Sequence, residues 1–281
     1  MKTVQKIVTY ISAFILAISI VLCVLVYLIS STILNKNYIL EKMNETNYYS
    51  QVYELVESNF ENYIQQSGLD ETVIENIITE EKVKEDTEQI LINLYDGLNE
   101  EISTQEISDN LNANIEESLG DRVLTSDEEE AIATFVETIC NEYENTILHT
   151  NYEETINDFY QKVTEYIKYA KQGLSIIIAV FLILLIVLNN KTIYRTIKGI
   201  SIALLSSGVI MLIINFYINS NIKIQSIIIL NEAFSEVLIN ILEEIMNNIF
   251  IFGCVSVIFG VILLISSNLV HSIKKYGTEE N

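Results

Sequence analysis

The chain has 281 residues, a formal net charge of −22, and neither proline nor tryptophan. All of this net negative charge lies between residues 35 and 172, where 32 acidic and 8 basic residues give a net charge of −24, and the rest of the chain has a net charge of +2. Such a surface repels nucleic acid, which excludes nucleic acid as a partner. We interpret the acidity as a solvated, repulsive coat, and attraction of cations or basic partners is the alternative.

Four long stretches contain no charged side chain, and they flank the acidic segment. A helix needs about 20 apolar residues to cross the hydrocarbon core of a bilayer. The four stretches reach or approach that length, and they cover residues 7–34, 173–190, 199–222 and 245–270. The sequence therefore predicts an all-α protein with four transmembrane helices and a large extracytoplasmic helical-bundle domain between the first and second spans.

The predicted segments follow one another along the chain in nine parts. They are a cytoplasmic amino terminus (1–6), transmembrane helix 1 (7–34), the extracytoplasmic acidic helical domain (35–172), transmembrane helix 2 (173–190), a cytoplasmic loop (191–198), transmembrane helix 3 (199–219), an extracytoplasmic amphipathic helix (220–246), transmembrane helix 4 (247–270) and a cytoplasmic tail (271–281).

The orientation of these spans is predicted by the basic residues of the short loops, which favour the cytoplasm. One side carries only Lys223. The side of the two termini carries seven basic residues, Lys2, Lys6, Lys191, Arg195, Lys198, Lys274 and Lys275. We therefore expect a multi-pass protein of the cell membrane with both termini in the cytoplasm. The first uncharged stretch is too long for a cleaved signal peptide and lacks a small-residue cleavage pattern, so we interpret it as a retained anchor.

The acidic segment contains helix caps and apolar stripes at helical spacing. We expect the first span to continue as one helix to Gln66 and to end at Ser67-Gly68. Asp70 and Thr79 are predicted caps of the next two helices.

Further along the acidic segment, the pairs Ser103/Glu106 and Ser126/Glu129 have the spacing of capping boxes. A last helix is predicted from about Asn151 directly into the second span. We expect both this helix and the helix of the first span to be unbroken. Movement of these rigid helices would then transmit a conformational change in the acidic domain to the spans.

The loop between the third and fourth spans is also predicted to be helical, because its apolar residues recur at helical spacing between residues 224 and 245. Two placements stay open for this helix: it lies on the base of the large domain, or it extends the fourth span. Within the spans, small residues such as Ala13, Ala17, Gly208 and Gly260 indicate close helix packing.

Residue types that commonly carry catalysis or bind zinc are scarce. The chain has two histidines, His149 and His271, and three cysteines, of which Cys140 alone lies in the acidic segment. The sequence therefore predicts no catalytic residue, no cofactor and no zinc site. We interpret His149 as a residue at a helix end and Cys140 as a buried free thiol, with an intermolecular disulfide as the alternative for Cys140.

The densest carboxylate cluster consists of Asp127, Glu128, Glu129 and Glu130. These residues are weak candidates for a calcium site, because Ca²⁺ binds six to eight oxygen ligands. The pattern of an EF-hand loop is missing. Acidic residues in the first turn of a helix are also stabilised by the helix dipole. We therefore prefer the interpretation that the cluster begins a helix.

The stretches Ser67–Glu71 and Thr79–Val83 resemble uncharacterised four-span membrane proteins of low-GC, clostridia-like Gram-positive bacteria. The topology is also similar to cell-division permeases and to claudins. The six-residue amino terminus is too short for the permeases, and the claudin Trp motif and Cys pair are missing. The resemblance implies a four-span topology and no particular function.

Three candidate functions are consistent with the sequence. The first is a non-enzymatic integral membrane protein whose outer helical domain mediates protein interaction or sensing at the cell envelope. The second is a channel or a transporter or permease subunit, and the third is a surface hydrolase with a carboxylate site. Besides the lipid bilayer, the expected partner is another protein or a second copy of the chain.

Overall fold

The structure is a computed structural model of the chain and describes residues 2–98, 102–148, 153–190, 192–224 and 232–276. Several predicted features lie outside the described residues. They are His149, the helix start at Asn151, the loop residue Lys191, and the segments 225–231 and 277–281.

The described residues form α-helices and one short 3-10 helix, and they contain no strand. The 3-10 helix spans Glu71–Ile74. The α-helices are α1 (Lys2–Ser31), α2 (Lys36–Glu45), α3 (Tyr48–Ser67), α4 (Glu80–Asp96), α5 (Gln105–Leu119), α6 (Ser126–Leu148), α7 (Glu153–Leu188), α8 (Ile193–Asn221) and α9 (Glu232–Tyr276). The prediction of an all-α protein is confirmed for this part of the chain.

Four of the helices contain segments that are long and apolar enough to cross a membrane. These segments are Val4–Ser31, Tyr160–Leu188, Ile193–Asn221 and Glu232–Ile273. Many of their large apolar side chains are exposed, among them Phe14, Ile176 and Ile213. Exposed apolar surface of this extent is the pattern of helices that face lipid. The prediction of four candidate membrane spans is therefore confirmed.

The chain divides into two compact units. One, called here the membrane unit, is drawn from residues 1–35, 163–227 and 239–281, and the other, called the acidic unit, from 36–162 and 228–238. In the membrane unit, α1 and α8 pack against each other. Ala13 and Ala17 of α1 and Ala203 of α8 are at most 1% exposed. These small side chains let the helix backbones approach closely, as predicted.

The helices α8 and α9 also approach each other closely. A Cβ atom at Gly208 would lie 2.7 Å from the carbonyl oxygen of Gly253 and 2.9 Å from the backbone nitrogen of Val257. One at Gly260 would lie 2.7 Å from Leu205 Cγ. Glycine is therefore required at these two positions for the helices to pack as they do.

The acidic unit has a core of its own, centred on α3. This helix packs against α4, α6 and the 3-10 helix, and α5 packs against α6. The core consists of the apolar faces of these helices, with Val52, Val56, Phe60, Ile64, Val83, Ile107, Leu111, Ile115, Val136, Ile139 and Tyr143 all buried. The apolar stripes of the sequence thus form one core, although the unit carries a large negative charge.

One expectation about helix continuity is wrong. The chain between the first span and Gln66 is interrupted after Ser31 and again at Thr46 and Asn47. Asn47 adopts a left-handed conformation with φ 54°. Asparagine is one of the few residues besides glycine that adopts this region readily, so the sequence permits a break where no glycine or proline marks one.

The other expected continuities are present in the described residues. The predicted last helix and the second span form a single helix, α7. The predicted amphipathic helix joins the fourth span in α9, so from Glu232 onward it extends that span. Its residues up to Leu238 also belong to the acidic unit, so both placements considered for it are present in part. The first helix is therefore not continuous to Gln66, whereas α7 is one continuous helix from Glu153 to Leu188.

Candidate functional site

An apolar groove of the acidic unit lies where the carboxyl ends of α3 and α5 meet the first half of α6. It encloses about 500 Å³. It is lined by Tyr63, Gln66, Ser67, Leu69, Leu119, Arg122, Leu124, Glu128, Ala131, Ile132, Thr134, Phe135 and Thr138. We call this feature the apolar groove.

A sharp turn after α5 shapes one wall of the apolar groove. Gly120 ends α5 with φ 59° and ψ −142°, a conformation that only glycine adopts without strain. The following loop carries Leu124 into the groove lining and leaves Val123 92% exposed beside it. An apolar side chain with this exposure contributes nothing to the core, so it is available for contact with another molecule.

The rim of the apolar groove is fixed by a capping box at the start of α6. Thr125 Oγ1 accepts a hydrogen bond from the Glu128 backbone N–H at 3.4 Å. In return, the Thr125 backbone N–H donates to Glu128 Oε2 at 2.9 Å. The hydrogen bonds from the backbone and hydroxyl of Thr125, with a smaller contribution from Arg122, lower the pKa of the Glu128 carboxyl. Glu128 is therefore a fixed negative charge at the rim.

The predicted carboxylate cluster lies at this rim. Asp127, Glu128 and Glu129 occupy the first turn of α6, and Glu130 follows them. Within the described residues, no group of three or more His, Cys, Asp or Glu side chains is arranged to hold a metal ion. Glu128 is instead engaged by Thr125 and by an ion pair with Arg122. The geometry thus assigns the cluster to the start of α6, and Glu128 is its member that lines the apolar groove.

A second groove of the acidic unit, the acidic groove, encloses about 490 Å³ between α3 and the segment after it. Four exposed carboxylates line it, those of Glu57, Glu61, Glu71 and Glu75. The segment is held against α5 by Asn114 Nδ2, which donates to the carbonyl oxygens of Val73 at 3.0 Å and Glu75 at 2.9 Å. Both grooves therefore have negative charge at their edges.

The structure places the other sequence candidates away from these grooves. Cys140 is a free, half-buried thiol whose Sγ lies 3.9 Å from the Thr104 carbonyl oxygen. Burial raises the pKa of this thiol. His271 belongs to the membrane unit, where its ring packs on Tyr194 at 4.4 Å between centroids. In the described contacts, neither Cys140 nor His271 lies beside a side chain that would complete a pair of nucleophile and general base.

The sequence did not predict the two apolar residues, Val123 and Leu124, that lie beside and in the apolar groove. Helical spacing explains why Ile132 and Phe135 lie on one face of α6, but it does not single out Val123 or Leu124. The available signal was an apolar pair between the turn-forming Gly120-Asp121 and the cap Thr125, a position where apolar residues have no helix face to fill.

Comparisons with known proteins identify no relative of this chain: no protein-family model matches it, and neither does any curated protein or solved structure.

Proposed function

We propose that the protein is a non-enzymatic receptor or adaptor of the cell membrane, with both termini in the cytoplasm and the acidic unit outside. The apolar groove binds a basic polypeptide segment of a partner through one or two apolar side chains. Its exposed neighbour Val123 and the Glu128 carboxylate in its lining carry this proposal.

The composition of the site supports a protein as the ligand. Protein interfaces combine apolar and aromatic side chains with polar ones, and the lining of the apolar groove contains Phe135 and Tyr63 together with the ion pair of Arg122 and Glu128. The charge of the unit supports a basic partner, because a strong negative field attracts cationic molecules and speeds their association.

The packing of the spans supports a role in binding a protein partner and not a role in conducting ions or substrates. Polar side chains in the helix contacts donate to backbone carbonyls of neighbouring helices. Ser201 Oγ donates to Gly260 O at 2.7 Å, and Asn215 Nδ2 donates to Met246 O at 2.7 Å. These groups hold α8 against α9, so they serve helix packing.

The proposal is tested with the full chain in nanodiscs of zwitterionic lipid and three fluorescent peptides. One alternates Lys with Leu, one replaces each Lys by Glu, and one replaces each Leu by Ser. We expect the Lys/Leu peptide to bind about tenfold or more tightly than either of the others, because both charge and apolar contact are needed. Equal binding of the Lys/Leu and Lys/Ser peptides contradicts a role for the groove.

Two variants locate the binding. Val123→Ser removes an exposed apolar side chain without touching the core, and we expect it to weaken Lys/Leu peptide binding by about tenfold. Leu98→Ser, at an apolar residue that is 45% exposed and lies outside the groove, is the matched control. An equal loss in both variants means that the peptide binds general apolar surface, and the groove is then not the site.

A further inference from the structure

A cavity of about 310 Å³ lies within the membrane unit, at the end where α1 and α8 begin. It is lined by residues of α1, α8 and α9 and by Asn189 just after α7: Gln5, Lys6, Thr9, Tyr10, Asn189, Tyr194, Arg195, Lys198, Gly199, Ile202, Ser267, Asn268 and His271. We call it the basic cavity.

The charges around the basic cavity are of one sign. Three cations, Lys6, Arg195 and Lys198, line it, and no Asp or Glu is among the lining residues that the structure describes. The Arg195 guanidinium is held over the Tyr194 ring, with Cζ 5.7 Å from the ring centroid. Arg195 Nε also donates to the Tyr194 hydroxyl at 3.2 Å. Cations gathered without a carboxylate among the lining groups favour an anionic ligand.

The floor of the basic cavity is polar and rigid. Asn189 is 2% exposed, and its Nδ2 donates to Leu185 O at 3.0 Å and to Thr9 Oγ1 at 3.3 Å. Ser267 is 1% exposed and donates to Tyr194 O at 2.6 Å. The bonds of Asn189 connect the end of α7 with α1, and the bond of Ser267 connects α9 with α8, so buried contacts contribute to the shape of the cavity.

The first turn of α8 adds to the positive potential. Tyr194 and Arg195 belong to that turn, because α8 begins at Ile193. The amino end of a helix carries a partial positive charge and favours anions, phosphate groups in particular. The helix end, the three cations and the buried polar floor therefore favour the same kind of ligand.

We propose that the basic cavity binds the phosphate headgroup of an anionic phospholipid. The cavity lies at the polar end of helices with exposed apolar surfaces, at the level where lipid headgroups meet a membrane protein. Basic pockets between transmembrane helices are suited to such headgroups. Tyr10, 54% exposed at the cavity edge, has the amphipathic character of interfacial aromatic residues. The acidic unit cannot offer this site, because its own charge repels anionic lipid.

The test uses the full chain, purified and freed of lipid in a neutral detergent. Lipid retention is measured by native mass spectrometry, and the midpoint of thermal unfolding is measured with added phosphatidylglycerol, phosphatidylcholine of the same acyl chains, or inorganic phosphate. We expect phosphatidylglycerol to be retained and to raise the midpoint, whereas phosphatidylcholine does neither. Stabilisation by inorganic phosphate equal to that by phosphatidylglycerol overturns the lipid assignment in favour of a soluble phosphate ligand.

Charge-matched variants separate a site from general attraction. The triple variant Lys6→Gln/Arg195→Gln/Lys198→Gln is expected to lower phosphatidylglycerol retention by about tenfold or more, since each basic contact to an anionic lipid adds to binding. The variant Lys168→Gln/Lys171→Gln/Lys223→Gln removes the same charge from elsewhere in the membrane unit and should retain the lipid. Equal losses in the two variants overturn the proposal.

A milder pair of variants covers the case in which the triple variant does not fold. Lys198 is exposed, so Lys198→Gln leaves the packing intact. We expect Lys198→Gln to lower retention measurably and Lys198→Arg to preserve it. Unchanged retention in Lys198→Gln contradicts the assignment of Lys198 to the headgroup.

Discussion

At the residue scale, the acidic unit stabilises a carboxylate in its interior. Asp86 is 6% exposed and accepts a hydrogen bond from the Tyr143 hydroxyl at 2.6 Å. The Lys82 ammonium lies 2.6 Å from the other carboxylate oxygen. A buried charge is tolerated only when it is paired and hydrogen-bonded, and these two partners meet that requirement. The unit therefore carries its many surface acids over a core in which the one described buried carboxylate is neutralised.

Removing the hydroxyl of Tyr143 tests this arrangement. Tyr143→Phe leaves the fold and the apolar contacts intact but deprives Asp86 of a donor, so we expect a loss of about 1–3 kcal/mol in the free energy of unfolding. The measurement is chemical denaturation of the full chain in detergent, followed by circular dichroism. Tyr53→Phe is the control, because the Tyr53 hydroxyl contacts Glu57 at the surface and its loss should cost less than about 0.5 kcal/mol.

Tyr143 is also expected to make the free energy of unfolding depend on pH in the alkaline range. Burial, together with the hydrogen bond and charge of Asp86, raises the pKa of Tyr143 above its usual value of 10.0. The unfolded chain therefore loses this proton at lower pH than the folded chain, and the stabilisation present below pH 10 declines as the pH rises further. Tyr143→Phe should flatten the decline of unfolding free energy above pH 10, and an unchanged slope contradicts the assignment.

At the element scale, the contact of α8 with α9 depends on the absence of a side chain at Gly208. Gly208→Ala places a methyl group against backbone atoms of Gly253 and Val257, which cannot move without separating the helices. We expect a loss of about 1–3 kcal/mol, although alanine is the better helix former. The measurement is the thermal unfolding midpoint in detergent.

Gly173 provides the matched control for this substitution. It lies within α7, and a Cβ atom there would meet nothing within 4 Å. Gly173→Ala should therefore be neutral or stabilise by up to about 1 kcal/mol, because only the helix preference changes. Destabilisation of both variants to the same extent would show that close approach is not the cause.

Helix caps show how far local sequence determines an element. Asp70 and Thr79 cap the helices that they were predicted to cap, with hydrogen bonds from Thr72 N at 3.0 Å and Lys82 N at 3.2 Å. The predicted box at Ser126 and Glu129 was wrong by one residue, because Thr125 and Glu128 form it. The box predicted at Ser103 is not formed, since α5 begins at Gln105. Neighbouring cap residues compete, and packing of the helix decides between them.

At the scale of the whole molecule, hydropathy predicted the four candidate spans because apolar length depends on composition alone. The basic cavity and the apolar groove could not be predicted in this way. Arg195 and Lys6 are 189 positions apart in the chain, and only the packing of α1 with α8 brings them to one cavity. Likewise, Val123 is distinguished from other apolar residues by its exposure, which depends on how the turn after α5 meets α6.

The orientation of the molecule decides on which side of the membrane each proposed ligand is bound. The excess of basic residues beside the termini predicts that this side is cytoplasmic, so the acidic unit should be accessible from outside. In a background with Cys23, Cys140 and Cys254 replaced by alanine, Asn112→Cys introduces a thiol on the exposed surface of α5. On intact cells without a wall barrier, we expect a membrane-impermeant maleimide to label this thiol.

Thr278→Cys in the same background is the companion of this experiment, since residue 278 belongs to the predicted cytoplasmic tail. It should be labelled only after lysis. The opposite labelling result at the two positions would show that the topology is inverted. The excess of basic residues beside the termini would then not have determined the orientation of the spans. The apolar groove would in that case face the cytoplasm, where its basic partner would have to be sought, and the basic cavity would lie against the outer leaflet.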